Sequence, residues 1–405
     1  MKKYGSLKRR MKMNKIQELI EKLCPDGVEY KHLWELTIWD KRFNSVERVK
    51  QPKVINYHYL LAAELFSLEQ ENGDVFLLST GEQTGWTTEE LAGDNLHEGE
   101  VVTIPWGKSR EVVDCIKYYK GKFVTADNRI MTSNDTDILS NKYLYYWIMS
   151  VGKVIDTYYR GSGIKHPDMS KVLEMKIPVP PLEVQSEIVR ILDNFTELTA
   201  ELTAELTARK KQYEYYRDEL LTFGDDVPQM RLGDTCYMKS GKSIASTQIA
   251  QSCSNDANIR CFGGNGIRGF VKEASHHGDY PIIGRQGALC GNVNFASGDF
   301  YATEHAVVVE SLGKYNVRFL FYLLTAMDLN QYKSQGAQPG LAVGNIENLL
   351  APVPPLEEQQ RIVDILDRFD KLCNDISEGL PAEIEARQKQ YEYYRDKLLT
   401  FKERA

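Results

Sequence analysis

Three short segments have residue types and spacings found in catalytic or cofactor-binding sites. Phe262-Gly-Gly-Asn-Gly266 fits the F-x-G-x-G loop of S-adenosylmethionine-dependent methyltransferases. That loop works with an Asn/Asp-Pro-Pro-Tyr/Phe tetrapeptide, which holds the amino group to be methylated. The Pro-Pro pairs of this chain stand instead in Val179-Pro-Pro-Leu182 and Val353-Pro-Pro-Leu356. A plain β-turn is therefore the better interpretation of residues 262–266.

The other two segments are weaker matches. Gly241-Lys242-Ser243 resembles the end of a phosphate-binding loop, but Cys236 stands where the first glycine is required. Pro167-Asp168 with Glu174-Met-Lys176 imitates a metal-dependent nuclease pattern, although the spacing is too short and the second half does not repeat it. The seven histidines lack ligand spacing, and neither H-E-x-x-H nor G-x-S-x-G occurs. We therefore predict no catalytic residue, no metal site and no cofactor in this chain.

Polar donors beside glycine occur at equivalent places in the two halves of the chain. Trp106-Gly-Lys-Ser-Arg110 corresponds to Ile283-Gly-Arg-Gln-Gly287, and Tyr158–His166 corresponds to Gln331–Gln338. Glycine lets the backbone approach a DNA duplex closely. Solvated loops with glycine turns are the alternative for any single residue, but the repetition of donors in both halves favours DNA binding.

Base recognition follows from the side chains of these loops. Arginine pairs with guanine and glutamine with adenine through two hydrogen bonds, so Arg110, Arg285 and Gln286 are candidate base-contacting residues. The predicted DNA-binding residues are Lys108, Ser109, Arg110, Arg129, Tyr159, Arg160, Lys165, His166, Lys242, Arg268, Arg285, Gln286, His305, Lys333, Gln335 and Gln338.

One segment occurs twice in the chain, and its two copies must position these loops. Residues 178–223 and 352–401 both begin with Pro-Val-Pro-Pro-Leu-Glu, and Lys211–Phe223 differs from Lys389–Phe401 only at Glu219 against Lys397. Such agreement indicates an internal duplication. Apolar residues recur three or four apart in both copies, which predicts helices.

The first copy contains no glycine or proline over residues 182–223, so it predicts one helix about 60 Å long. The second copy is interrupted at Gly379-Leu-Pro381. Each helix has one apolar stripe, and we expect the two to pair antiparallel about a pseudo-twofold axis. Thr199-Ala-Glu-Leu202 and Thr203-Ala-Glu-Leu206 repeat a unit that lengthens the helix by about 6 Å while returning to nearly the same face. The number of repeats is interpreted as setting the length of the helix, and with it the separation of the two β-rich domains.

The two Lys-Gln-Tyr-Glu-Tyr-Tyr-Arg-Asp segments are identical in sequence on all faces of the helix. This includes the faces off the apolar stripe, where helical periodicity hardly restricts the residue type. Plain packing of the helical pair explains the tyrosines on the apolar stripe, but not this agreement. Two identical surfaces favour two copies of one partner. The predicted partner-binding residues are Gln212, Tyr213, Glu214, Arg217, Gln390, Tyr391, Glu392 and Arg395.

The alternation of helical stretches with stretches of short β-rich runs predicts the domain organisation. The predicted segments are a basic tail and short helix (1–28), a first β-rich domain (29–177), a first spacer helix (178–226), a second β-rich domain (227–351) and a second spacer helix (352–405). The fold class is α+β, with two β-rich domains separated by a long antiparallel helical coiled coil. The 405 residues carry a net charge of −7, and residues 182–223 and 356–405 account for all of it. The remainder is neutral, which permits DNA binding.

Seven scattered cysteines without a C-x-x-C pair and the lack of a long apolar run predict a cytoplasmic protein that does not cross a membrane.

These features identify a family resemblance. The duplicated P-x-P-P-L-E-x-Q-x-x-I-V-x-I-L-D helices, the K-Q-Y-E-Y-Y-R-D segments and the tandem Thr-Ala-Glu-Leu units resemble the specificity (S) subunit of type I restriction-modification systems, over nearly the whole chain. The resemblance implies two target-recognition domains that each bind one half of a split site in double-stranded DNA. It also implies a spacer that docks two methyltransferase (M) subunits, with restriction (R) subunits joining the complex.

In such a complex, adenine methylation and cleavage belong to the partners, which use S-adenosylmethionine, ATP and Mg. Two alternatives stay open from the sequence. One is an enzyme acting alone on DNA, which the missing motif pairs disfavour. The other is an adaptor scaffold whose β-rich domains bind protein and which has no DNA specificity of its own.

Overall fold

The structure is a computed structural model that describes residues 15–79, 84–108, 110–126, 129–334, 339–375 and 377–404. The chain divides into two compact units. The first comprises residues 1–201 and 384–405, and the second comprises residues 202–383. The boundary at Glu201 and Leu202 therefore falls inside the Thr-Ala-Glu-Leu repeats.

The described chain contains the following helices and strands. The helices are α1 (15–23), α2 (Leu33–Leu36), α3 (Ala62–Ser67), α4 (Glu89–Ala92), α5 (Asn141–Ser150), α6 (Gly152–Asp156), α7 (Met169–Leu173), α8 (Leu182–Leu220), α9 (Leu232–Thr235), α10 (Val317–Ala326), α11 (Val343–Glu347), α12 (Leu356–Asn374) and α13 (Leu380–Leu398). The strands are β1 (Glu29–His32), β2 (Thr37–Trp39), β3 (Val75–Leu78), β4 (Trp86–Thr87), β5 (His97–Ile104), β6 (Lys117–Thr125), β7 (Arg129–Ser133), β8 (Tyr159–Arg160), β9 (His166–Pro167), β10 (Lys176–Val179), β11 (Gln229–Arg231), β12 (Cys236–Ser240), β13 (Ile259–Gly263), β14 (Gly266–Val271), β15 (His276–His277), β16 (Tyr280–Gly284), β17 (Val293–Ala296), β18 (Asp299–Ala302), β19 (Ala306–Ser311) and β20 (Leu350–Pro352).

The first unit is built on a six-stranded sheet in the order β2-β7-β5-β6-β3-β4. Only the β3–β6 pairing is parallel, and the other pairings of this sheet are antiparallel. Helix α5 packs its buried side chains, among them Tyr143, Leu144 and Trp147, into the largest core of this unit. Its N-terminus is capped because the Ser140 hydroxyl accepts a hydrogen bond from the amide of Tyr143.

The second unit repeats this plan with a divided sheet. Its strands form two four-stranded sheets, β12-β19-β16-β17 and β14-β13-β18-β15. Helix α10 takes the place of α5, with Asn316 as its cap and Phe319, Leu320 and Leu323 buried in the core. Helices α5 and α10 are therefore equivalent elements of the two units.

A two-stranded ladder closes each β-rich region at its base. In the first unit β1 pairs antiparallel with β10, and in the second β11 pairs antiparallel with β20. Each ladder thus joins the strand that enters the region to the strand that leads into a spacer helix. The entering strands β1 and β11 lie in residues 28–36 and 227–234.

A buried glutamine fixes the start of each spacer helix. Gln185 Nε2 donates to the carbonyls of Ile138 and Pro180 at 2.7 and 2.8 Å, and its Oε1 accepts from the amide of Ser140 at 2.9 Å. Gln359 makes the same three bonds in the second unit, to Lys314, Pro354 and Asn316. Both side chains are fully buried, so their polar atoms depend on these bonds.

The long helix is continuous. Helix α8 runs for 39 residues through the whole Thr-Ala-Glu-Leu region, and ends three residues before the predicted limit at Phe223. Leu198, Leu202 and Leu206 are each half-buried while the threonines and glutamates after Leu202 are exposed, as a repeat that returns to one helix face requires. The second copy forms two helices, α12 and α13, and the interruption predicted at Gly379-Leu-Pro381 is confirmed.

In each unit, an aromatic ring of the first copy contacts an aromatic ring of the second copy. Phe195 of α8 stacks on Tyr394 of α13 in the first unit, and Tyr216 of α8 lies against Phe369 of α12 in the second. These contacts are the ones expected of antiparallel copies. Among the described residues, no helix has the length and apolar character needed to cross a membrane.

Candidate nucleic-acid interface

The two predicted loops of the first unit lie side by side. The amide of Lys108 donates to the carbonyl of Lys165 at 3.1 Å, which links the segment after β5 to the β8–β9 hairpin. Next to this link, the ring centroids of Trp106 and His166 are 4.1 Å apart, and His166 Nδ1 donates to the Trp106 carbonyl at 2.9 Å. Residues from both loops therefore form one continuous surface, which we call surface 1 (Trp106–Lys108 with Arg160–His166).

Gly107 makes this close approach possible. A Cβ atom on Gly107 would lie 2.6 Å from Ile164 Cγ2, which is well inside van der Waals contact. A larger residue would push the two loops apart.

Lys108 and Tyr159 hold the base of surface 1. The Lys108 ammonium forms an ion pair with Asp156 and lies 5.3 Å from the centre of the Tyr159 ring. Burial alone would raise the pKa of Asp156, but the hydrogen bonds from Lys108 and from the amide of Val112 lower it below its usual range. Tyr159 is buried and its hydroxyl donates to the carbonyl of Pro105. Both residues were predicted to contact DNA, and the structure gives each an internal partner.

Arg129 lies beneath Trp106. Its guanidinium carbon is 5.9 Å from the Trp106 ring and 5.2 Å from the ring of Phe43. Burial lowers the pKa of Arg129, and the nearby carboxyl of Asp40 opposes that effect. Burial in turn raises the pKa of Asp40 to about 6, although Lys41 and Arg129 work against it.

The remaining predicted residues of the first unit differ in exposure. Arg160, Lys165 and His166 are exposed on surface 1, whereas Arg110 is half-buried. Ser109 lies outside the described residues.

In the second unit, Arg285 stands at the centre of an equivalent arrangement. Its amide donates to the carbonyl of His305 at 2.9 Å, and its Nη1 donates to the Ser240 hydroxyl at 2.9 Å. Its carbonyl accepts from the amide of Leu341 at 2.9 Å. The segment after β16 is therefore tied to β12, to the residue before β19 and to the segment that precedes α11.

A cleft opens beside Arg285. It has a volume of about 380 Å³ and is lined by Gly264, Gln286, Gly287, His305, Pro339 and Gly340. Gln286 pairs with Gly340 as an isolated bridge, in the way that Lys108 pairs with Lys165 in the first unit. His305 Nδ1 is buried and has no hydrogen-bond partner among the described residues.

The other predicted residues of the second unit are at its surface. Lys242, Arg268, Gln286 and Lys333 are exposed, and Lys333 Nζ donates to Asn330 Oδ1 at 2.7 Å. Gln335 and Gln338 lie outside the described residues. The structure thus brings Arg285, Gln286 and His305 together in the second unit.

The predicted partner-binding residues occupy equivalent places on α8 and α13. Arg217 lies over the Tyr213 ring at 6.0 Å, and Arg395 lies over the Tyr391 ring at 5.7 Å. Burial raises the pKa of both tyrosines to about 12, so these rings pack against the protein. Gln212 and Gln390 each accept from the arginine three residues before them, Arg209 and Arg387. Glu214 and Glu392 are exposed.

Sequence reasoning missed the most exposed aromatic pair of these segments. Tyr215 is 65% exposed and Tyr393 is 60% exposed. Their identity at equivalent positions off the apolar stripe was a signal that could have found them.

The comparisons with known proteins agree with this arrangement. A family model described as type I restriction modification DNA specificity domain matches residues 62–209 and 225–386. The chain belongs to this family. Among the described residues, no group of three or more His, Cys, Asp or Glu side chains is placed to hold a metal ion.

Two relatives are similar over long stretches. The EcoprrI type I restriction enzyme specificity subunit of Escherichia coli is 48% identical over 256 residues, which are 60% of this chain and 64% of that protein. The chain thus matches less than two thirds of that relative's length. A type I restriction enzyme specificity subunit of Haemophilus influenzae is 33% identical over 330 residues, 75% of this chain and 84% of that protein. Both relatives are named as type I specificity subunits, in agreement with the family model.

Solved structures share the fold. The S subunit of a type I restriction-modification system from M. genitalium has a TM-score of 0.63 at 17% identity and covers 92% of this chain and 96% of its own. A chain from a structure of complex assembly in a type I restriction-modification system has a TM-score of 0.54 at 17% identity, covering 92% and 97%. The α+β fold with two β-rich regions and long helices is that of these proteins.

Proposed function

We propose that this specificity subunit binds double-stranded DNA at a split site, one half-site to each of residues 29–177 and 227–351. The observation that carries the proposal is the repetition of one arrangement in both units. In each, a glycine-containing segment after a central strand bridges to a second polar loop, at Lys108 and Lys165 or at Gln286 and Gly340. The side chains differ between the units, as two different half-sites require.

The spacer segments, residues 178–226 and 352–405, set the distance between the half-sites and dock two methyltransferase subunits. The support is the near-identity of Lys211–Phe223 and Lys389–Phe401 and the exposed Tyr215 and Tyr393 that this identity repeats. Two equal surfaces fit two copies of one partner. Restriction subunits join through the assembled complex, which works in the cytoplasm.

Methylation of adenine and cleavage of DNA are then reactions of the partners, which use S-adenosylmethionine, ATP and Mg. This chain contributes binding and orientation. Base contacts by Arg110, Arg285 and Gln286 are part of the proposal. Of these three side chains, Gln286 is exposed, Arg110 is half-buried, and Arg285 is hydrogen-bonded to Ser240.

Sequencing of methylated adenines in the host genome, with and without this gene, tests the function. We expect one bipartite motif with an unspecified gap to lose methylation when the gene is deleted and to regain it on complementation. An unchanged methylation pattern, together with no site-specific DNA binding by the purified complex, would leave a protein-binding scaffold as the function.

A further inference from the structure

Two apolar side chains are exposed in the midst of the cations of surface 1. Trp106 is 38% exposed and Ile164 is 64% exposed. Ile164 lies against Gly107, beside Trp106 in the chain. His166 packs against Trp106, Lys165 follows Ile164 in the chain, and Arg160 pairs with His166 in the β8–β9 hairpin. All three side chains are exposed. A surface that attracts phosphates therefore contains an apolar pair that phosphates do not require.

The Trp106 ring is held in place from several directions. The His166 imidazole lies 4.1 Å from it, and the Arg129 guanidinium lies on its inner side, 5.9 Å away. Arg129 is itself held against Phe43, which is buried. A cation between two aromatic rings attracts both of them, so Arg129 links the exposed ring of Trp106 to the core.

We propose that Trp106 and Ile164 contact the methyl group of a thymine in the half-site bound by the first unit, and that Arg129 is the residue that positions Trp106 for this contact. The inference rests on the proposed DNA-binding function and deepens it. In the major groove, the thymine methyl is the apolar group that distinguishes one base pair from the others. An exposed apolar pair flanked by phosphate-binding cations matches that group in chemistry.

Thymine can be tested without changing the protein. Deoxyuridine lacks the methyl group and keeps every hydrogen-bonding atom, so replacing one thymine at a time isolates the methyl contact. The complex of the full chain with its methyltransferase subunits is titrated with short duplexes. These duplexes contain the DNA site that the complex methylates. We expect affinity to fall roughly four-fold, the value of one buried methyl group, at one or two positions of a single half-site.

The outcomes separate the two proposals. No preference for the native site over unrelated DNA would refute the proposed function itself. Specific binding that is equally tight with thymine and deoxyuridine at every position would refute only the thymine contact. Since this comparison uses the unaltered chain, it does not depend on whether a variant folds.

Variants then assign the contact. Trp106→Ala, Trp106→Phe and Ile164→Ala are compared with Trp86→Ala, a control at a tryptophan of similar exposure, 42%, that packs on Phe76. We expect Trp106→Ala and Ile164→Ala to bind thymine and deoxyuridine duplexes equally at the sensitive position. Trp106→Phe should keep part of the difference, and Trp86→Ala should keep all of it. Full discrimination in Trp106→Ala would overturn the assignment.

The role of Arg129 has its own readout. A residue that neutralises a phosphate contributes about one unit to the slope of log affinity against log salt concentration. We expect Arg129→Gln to weaken binding and abolish the thymine preference without changing that slope, because its charge lies beneath Trp106. Arg160→Gln, at an exposed position, is the matched comparison and should lower the slope. A lower slope in Arg129→Gln as well would show that Arg129 contacts DNA directly.

Discussion

Phe195 stacks on Tyr394, with ring centroids 5.5 Å apart and an angle of 24° between the ring planes. In the second unit the equivalent residues form the same pair with their origins exchanged, because Phe369 comes from the second copy and Tyr216 from the first, at 5.7 Å. The duplication is therefore visible in contacts as well as in sequence. Each copy supplies the phenylalanine of one pair and the tyrosine of the other.

A second pair of equivalent contacts, each formed within one half of the chain, predicts an effect on stability. Tyr146 donates to Asp193 and Tyr322 donates to Asp367, both at 2.5 Å, so each joins a packed helix to the start of a spacer helix. Hydrogen bonds to charged groups contribute about 1.5–3 kcal/mol. We expect Tyr146→Phe and Tyr322→Phe each to lower the free energy of unfolding by about that amount, measured by urea denaturation.

Tyr145→Phe is the matched control, since the Tyr145 hydroxyl makes no hydrogen bond to the described residues and the neighbouring ring is equally aromatic. Loss of stability in the control as large as in Tyr146→Phe would mean that the hydroxyl bond is not the cause.

The buried glutamines predict a larger loss. Gln185→Ala would leave the carbonyls of Ile138 and Pro180 and the amide of Ser140 without their partner. Each buried group left unpaired costs about 1–3 kcal/mol, so we expect a loss of at least about 3 kcal/mol in urea denaturation. Gln388→Ala, on an exposed helix face, should change stability by less than about 0.5 kcal/mol. Equal effects of the two variants would contradict this account.

Asp40 predicts a pH dependence. Burial raises its pKa from 3.8 to about 6, so the folded protein holds the proton more tightly than the unfolded chain. The stability from this proton is complete below pH about 4 and is lost as pH rises through 6, about 3 kcal/mol in all. We expect Asp40→Asn to flatten the fall in unfolding free energy between pH 4 and 7. Asp137→Asn, at an exposed position, should follow the unaltered chain. Parallel pH curves for Asp40→Asn and the unaltered chain would show that Asp40 is not the titrating group.

The spacer repeat predicts a change in the recognised DNA. Inserting one further Thr-Ala-Glu-Leu after Leu206 lengthens α8 by about 6 Å, which corresponds to one or two base pairs at about 3.4 Å each. We expect methylome sequencing to show a longer gap and unchanged half-sites, and deletion of residues 203–206 to shorten the gap. Changed half-sites with an unchanged gap would show that the number of repeats does not set the gap length.

The exposed tyrosines predict an assembly defect. Exposed aromatic residues often carry most of the binding free energy of an interface. We expect Tyr215→Ala and Tyr393→Ala each to weaken the binding of one methyltransferase subunit at least about ten-fold, and the double variant to weaken both. Native mass spectrometry gives the number of subunits bound. Tyr237→Ala, at a tyrosine 52% exposed in a β-rich region, should assemble normally, and a similar defect there would point to general destabilisation.

The features set by local rules were predictable from the sequence. Helix α8, the break before Pro381 and the equivalence of α5 and α10 follow from periodicity, glycine and proline, and repetition. Contacts between distant residues were not predictable. The Lys108–Asp156 pair joins residues 48 apart in the sequence, and Arg129 lies 86 residues from Phe43 and 23 from Trp106; no repeat or spacing marks these contacts.

The candidate site shows the same division. The duplication identified equivalent polar segments in both halves, and in the first unit two of them are linked through Lys108 and Lys165; their role in DNA binding stays a prediction. The burial of Tyr159 beside the half-buried Tyr158 was not predictable, because β8 has only two residues and shows no alternation. Division of the second sheet into two likewise depends on long-range strand pairing.

The near-identity of Lys211–Phe223 and Lys389–Phe401 has an evolutionary consequence. A genetic crossover between these stretches would delete or add 178 residues without creating a new junction, because either segment continues the other's helix. The deletion would remove the second β-rich domain and leave one copy of the repeated segment, so under the proposed function a single event removes one half-site together with one berth for an enzymatic partner.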